Sequence, residues 1–91
     1  MNNRPKLEVA LQKLVKLSPD SPEAWYDLAA AQALLEKNSE AMQNLKRALD
    51  LNTQRLAQNP KTNDLRVNAT TDSRFAALSN TPQFRALVTP H

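Results

Sequence analysis

The chain has 91 residues, 41% of them hydrophobic, and a formal net charge of +3. That length supports one small domain with a modest core. It contains no glycine, no cysteine and only 4% aromatic residues, which excludes tight hairpins, phosphate-cradling loops, most sheet folds, a disulfide framework and thiolate chemistry. An all-helical chain is what remains. No apolar run reaches membrane-spanning length, and Met1 to Arg4 lead into an amphipathic segment rather than a signal-peptide core.

In chain order, Leu7, Ala10, Leu11, Leu14, Val15 and Leu17 follow helical spacing, and Ser18-Pro19 closes the segment. The second element opens at Ser21 as N-cap with Pro22 in the first turn and Glu23 at the positive end of the helix dipole. Trp25, Leu28, Ala29, Gln32 and Leu35 then fall at i, i+3, i+4, i+7 and i+10 on one face. Glu36-Lys37-Asn38 is a connection of the length that joins antiparallel neighbours. A third helix beginning at Ser39 aligns Ala41, Met42, Leu45, Ala48 and Leu49. Small Ala29, Ala41 and Ala48 let the two backbones approach, with Trp25 expected to be largely buried beside them.

The span from Ser21 to Asn52 resembles a tetratricopeptide repeat, W-x2-L-G-x2-Y followed by A-x3-F and a proline. Ala29 stands in the glycine slot, Gln32 in the tyrosine slot, Leu45 in the phenylalanine slot and Thr53 in the proline slot, with no gap. Shifted by one repeat of about 34 residues, Leu7 falls on Ala41, Leu11 on Leu45, Leu14 on Ala48 and Val15 on Leu49, and Pro19 fills the slot that Thr53 leaves. The first helix therefore matches the second half of a repeat. Two readings account for it: a C-terminal piece of a longer protein, or a single helix serving as N-terminal cap. The fold class that the resemblance implies is all-α, with antiparallel helix pairs in a right-handed superhelical stack and short C-terminal capping helices. Residues 1–91 then form one domain: 6–18 the second helix of a partial repeat, 21–58 a full repeat with an extended second helix, and 59–91 a capping tail.

With threonine in place of the proline at position 53, nothing local ends the third helix at Asn52, so it is expected to run to about Gln58, where Asn59-Pro60 breaks it. Residues 63 to 70 are assigned a short helix, although Val67, Thr70 and Thr71, being β-branched, would equally suit an extended segment. Asp72-Ser73 caps a short helix carrying Phe75, Ala76 and Leu78, and Thr81-Pro82 starts another carrying Phe84, Leu87 and Val88. This D-x2-F-x2-L then P-x-F-x2-L pattern resembles the tail that follows the last tetratricopeptide repeat in many bacterial proteins. Phe75 and Phe84 read as packing anchors that cover the apolar side of the long helix.

Catalytic groups are thin. His91 is the single histidine and the terminal residue; Ser73 and Ser79 have no histidine partner; the carboxylates are scattered along helices without metal-ligand spacing. No cofactor, metal or enzymatic activity is expected. Asn68-Ala69-Thr70 is a short sequon of the kind that arises by chance. Lys46, Arg47, Arg55, Lys61 and Arg66 concentrate positive charge, yet Asp50 and Asp64 interrupt them and no aromatics interleave, which argues against nucleic acid.

The resemblance implies a non-catalytic protein–protein interaction module, binding a partner segment on the concave face or capping a longer repeat array. Carried over by position, the concave residues are Glu23, Tyr26, Asp27, Ala30, Ala33 and Leu34. Chaperone-binding members of the family clamp a terminal carboxylate with basic and amide side chains; the acidic, aromatic and small residues here suit an apolar or basic protein segment instead. A rival expectation is a C-terminal appendage of a larger enzyme, such as a membrane-embedded glycosyltransferase, with no membrane contact by these residues themselves. The unpartnered stripe of the first helix leads to a further expectation, weak homodimerisation through Leu7 and Leu11.

Overall fold

A computed structural model of the chain describes residues 4–89, with side chains from Lys6 onward. The described residues are all-helical: α1 (Arg4–Leu17), α2 (Pro22–Leu34), α3 (Asn38–Gln58), α4 (Leu65–Thr71), a 3-10 turn (Ser73–Phe75) and α5 (Pro82–Val88).

Local chemistry sets these boundaries. The Ser21 hydroxyl accepts from the Ala24 amide at 3.3 Å, with Pro22 supplying a pre-set φ and no orphan N–H. At its far end α2 closes with two reversed bonds, Lys37 N–H to Gln32 C=O at 2.9 Å and Glu36 N–H to Ala33 C=O at 3.1 Å. That pattern requires a left-handed residue, and Glu36 supplies it at φ 63. A chain without glycine thus spends strain on this turn. α3 begins one residue earlier than the expected Ser39, because Lys37 C=O already accepts from the Ala41 amide at 2.9 Å; Lys37 makes no side-chain cap. α3 then continues for 21 residues to Gln58, passing through Thr53, whose hydroxyl donates to Leu49 C=O at 3.0 Å. Asp64, Asp72 and Thr81 each cap the next element through their side chains, accepting from the amides of Arg66, Arg74 and Phe84.

α2 and α3 run antiparallel. Glu23 at the start of α2 meets Arg55 near the end of α3, and Gln32 near the end of α2 meets Asn44 early in α3. α1 also runs against α2, with Glu8 reaching Gln32. The main core gathers Tyr26, Ala29, Ala30 and Ala33 of α2, Ala41, Leu45, Ala48 and Leu49 of α3, and Leu65, Ala69, Phe75, Leu78 and Phe84 of the tail. A smaller cluster of Val15, Ala24 and Leu28 joins α1 to α2. Trp25 is half-buried rather than a core residue: its ring packs against both clusters, its indole N–H donates to Pro19 C=O at 2.8 Å, and Arg47 lies 6.0 Å from the ring centroid. A ring with one polar edge and a cationic neighbour settles at a seam and not in a centre.

Polar side chains fix the three helices against one another. Lys37 Nζ donates to Glu8 Oε1 at 2.7 Å, Gln32 Nε2 donates to Glu8 Oε2 at 3.1 Å, and Asn44 Nδ2 donates to Gln32 Oε1 at 2.6 Å. Glu8 and Gln32 are both buried. The Lys37 hydrogen bond holds the Glu8 carboxyl below its ordinary range, against the opposing effect of burial. Buried Asn52 does a similar job at the tail: its amide donates to Asp64 Oδ1 at 2.8 Å while its carbonyl accepts from the Leu65 amide at 3.0 Å.

Two substitutions test the boundaries. Thr53→Pro should lower stability by about 3 kcal/mol, since it removes a mid-helix hydrogen bond and clashes with the preceding turn; an unchanged denaturation midpoint would place the helix end near Asn52. Glu36→Gly should instead raise stability by roughly 1 kcal/mol, read as a melting temperature several degrees higher, because glycine reaches positive φ without Cβ strain. An unchanged or lower melting temperature would show that the Glu36 turn is not strained.

Candidate binding surface

The six positions carried over as a concave groove do not form one. Tyr26, Ala30 and Ala33 are 4%, 0% and 3% exposed, and Leu34 is half-buried. This corrects the expectation of an open groove, and the reason is the chain's own tail. Phe75 is fully buried with its ring 5.4 Å from Tyr26 in an edge-on arrangement (72°), and Phe84 stacks behind it at 5.7 Å. The two polar members of the set are engaged as well. Glu23 is held by Arg55 through a two-pronged contact at 2.9 and 2.6 Å, which keeps its carboxyl below the ordinary range. Asp27 lies 3.7 Å from Arg74; burial raises its carboxyl above the ordinary value, with Arg74 working against that shift.

One latch joins tail to groove. The Tyr26 hydroxyl donates to Asp72 Oδ2 at 2.8 Å, and Arg74 binds the same carboxylate through Nη2 at 2.8 Å and Nε at 3.1 Å while lying 5.7 Å over the Tyr26 ring. The Arg74 hydrogen bonds are the largest reason that the Asp72 carboxyl falls from 3.8 to about 2, with its bonds from the Arg74 amide and Tyr26 adding to them. Burial and the Asp72 carboxylate together push the Tyr26 phenol well above its ordinary value. Asp72 thus serves at once as helix cap, ion-pair partner and acceptor for a groove residue. The short run Asp72-Ser73-Arg74-Phe75 packs over the Tyr26 side of α2.

Four of the five central basic residues have partners within the chain. Arg55 pairs with Glu23, Lys46 with Asp50 at 3.2 Å, Arg66 with Asp64 at 3.4 Å, and Arg47 covers Trp25, whereas Lys61 is exposed with no ion pair among the described residues. Among the described residues no group of three His, Cys, Asp or Glu side chains is placed to hold a metal ion, and no helix is long and apolar enough to cross a membrane. His91 lies outside the described residues. Asn68 is exposed on α4, and the Ser79 hydroxyl is turned to Ala76 C=O at 2.9 Å. Met42 and Leu87 line a shallow open depression between α3 and α5, rimmed by Gln43, Lys46 and Gln83.

The surface left open is on α1. Val15 and half-buried Leu11 face α2, whereas Leu7, Leu14 and Leu17 are 48%, 41% and 81% exposed. Sequence reasoning gave this stripe weak self-association and assigned binding of a protein partner to α2. The signal it passed over was the unbroken run Ala29-Ala30-Ala31 followed by Ala33, which marks the second half of α2 as apolar, and so covered, on every side. Comparison of the chain with protein-family models, with curated proteins and with solved structures finds no match.

The latch makes stability depend on acid. Because the Asp72 carboxyl is lower in the folded chain than its ordinary 3.8, its contribution is fully present above pH 3.8 and is lost as pH falls through about 2. Asp72→Asn should therefore cost on the order of 2 kcal/mol at neutral pH, and the gap between variant and parent should close on acidification. A gap of constant size from neutral pH down to acid would show that the carboxylate's charge is not what holds the tail.

Proposed function

We propose that this chain is a non-catalytic protein–protein interaction module of tetratricopeptide type, working as the closing cap of a helical-repeat stack. The observation that carries this reading is the contrast between its two apolar faces. The groove side of α2 is filled from within by Phe75 and its neighbours, whereas the leucine stripe of α1 is bare. For a peptide to bind on the concave side, Phe75 and Phe84 would have to leave a packed core, a loss of several kcal/mol on burial grounds. Closure at one end and an uncovered stripe at the other is the arrangement that a terminal cap requires, since repeat stacks need a polar outer face at their end. The paired basic side chains favour this over a nucleic-acid surface.

The reading is tested by fusion. Placing an idealised repeat-type helical hairpin directly ahead of α1 should give one cooperative transition with a higher melting temperature than the 91-residue chain alone, because covering the leucine stripe removes apolar surface from water. The same hairpin fused after α5 should leave the melting temperature unchanged. Two separate transitions in the first fusion, or equal gains in both, would count against the cap.

A further inference from the structure

The uncovered face of α1 has a more specific pattern than an apolar patch. Leu7, Ala10, Leu14 and Leu17 are exposed and spaced i, i+3, i+7, i+10, the a and d positions of a heptad repeat over two heptads. Lys6 and Lys13 then occupy the g positions flanking that seam, both exposed, and Lys16 lies further round. Neither Lys6 nor Lys13 has an ion-pair partner among the described residues. The one acidic side chain of α1, Glu8, is buried on the other face and already held by Lys37 and Gln32. The exposed part of α1 therefore presents a narrow leucine seam with positive charge alone along its edge.

Resting on the cap reading, we infer that the helix which covers α1, the neighbouring element of the stack that this chain closes, is acidic: an amphipathic helix with apolar a and d positions and carboxylates at the flanking positions that meet Lys6 and Lys13. Charge decides among the occupants. A second copy packed antiparallel sets Lys6 and Lys13 against the partner copy's lysines, since g positions face g positions in that geometry; packed parallel, it sets Lys6 over Leu11 and Lys13 over Ser18, with no carboxylate to pair. Neither supplies a counter-charge. A lipid surface calls for an apolar face wider than a two-position seam, and the inner edge of this one is closed by α2. A carboxylate-flanked helix satisfies both the leucines and the lysines.

The probes are two synthetic helical peptides of three heptads with leucine at every a and d position, one carrying Glu at every e and g position and the other Lys. Each repels its own copies at neutral pH. Calorimetric titration of the intact 91-residue chain should show the Glu peptide binding at least ten-fold more tightly than the Lys peptide, with the preference shrinking as salt is raised from about 0.05 to about 0.5 M. The double variant Lys6→Glu, Lys13→Glu, checked for unchanged helical circular dichroism, should invert the preference, an outcome that loss of folding does not produce. Equal affinity for both peptides would overturn the acidic inference while leaving the cap intact, since the fusion experiment reads the cap independently. Binding of neither peptide overturns the inference outright. In that case dimerisation in sedimentation equilibrium, lost in Leu14→Lys, would assign the stripe to a second copy, and retention on phosphatidylserine vesicles would assign it to a lipid surface.

Discussion

The structure depends on one helix that is apolar on every side except the Glu23–Asp27 edge of its first turns. α2 carries alanine, leucine or tyrosine around most of its circumference, and it touches α1, α3, α4 and the 3-10 turn. Burying such a helix from several directions is the constraint that organises the rest. α3 covers one flank through Ala41, Leu45 and Ala48, which are small enough at two of three positions for close backbone approach. α1 covers a second, and the tail folds back over the third because Phe75 and Phe84 find no other apolar surface of that depth. A single amphipathic hairpin would have left the Tyr26, Ala30 and Ala33 side in water.

The second constraint is the lack of glycine. Helix ends that commonly use glycine are met here by other means, each with a local cost or requirement. Glu36 takes the left-handed position at the end of α2, and an extended Asn59 ahead of Pro60 ends α3. The tail is then built from caps placed in quick succession, Asp64, Asp72 and Thr81, each starting a short element that could not stand alone. Asn52 ties the first of these caps to α3, so the tail is anchored by a buried amide as well as by aromatic rings. Short helices of seven residues persist because each N-terminus is capped by a side chain and Leu65 and Ala69 of one and Phe84 of the other are sunk in the core.

Helix identity was legible from periodicity because it depends on local spacing. The stops and starts at Ser21, Gln58 and Thr81 were legible for the same reason: caps and prolines act within one turn. What periodicity does not carry is which of two apolar faces is covered, and by what. Tyr26, Ala30 and Ala33 were assigned to an open groove from the repeat pattern, yet they are buried in one cluster with Phe75, Leu78 and Phe84 of the tail. Trp25 was placed in the core from its helical spacing and its slot in the repeat pattern, although its indole N–H called for a polar edge. Gln32 was legible only as a member of the packing face and Glu8 carried no signal, since only the tertiary fold brings Lys37 and Asn44 to them.

That small polar chain has a consequence for α1. An apolar contact such as Val15 against Leu28 resists separation but tolerates sliding and rolling, because dispersion has little directionality. Glu8 is different: its two oxygens are held by donors on two separate parts of the hairpin, one on α2 and one at the turn before α3. Two fixed points on one side chain define an azimuth. α1 is therefore locked in rotation about its own axis, as a key is by its bit. Replacing Glu8 and its donors with well-packed apolar groups could leave α1 equally well attached, yet free to roll, and a rolled helix would present lysines where the leucines now stand.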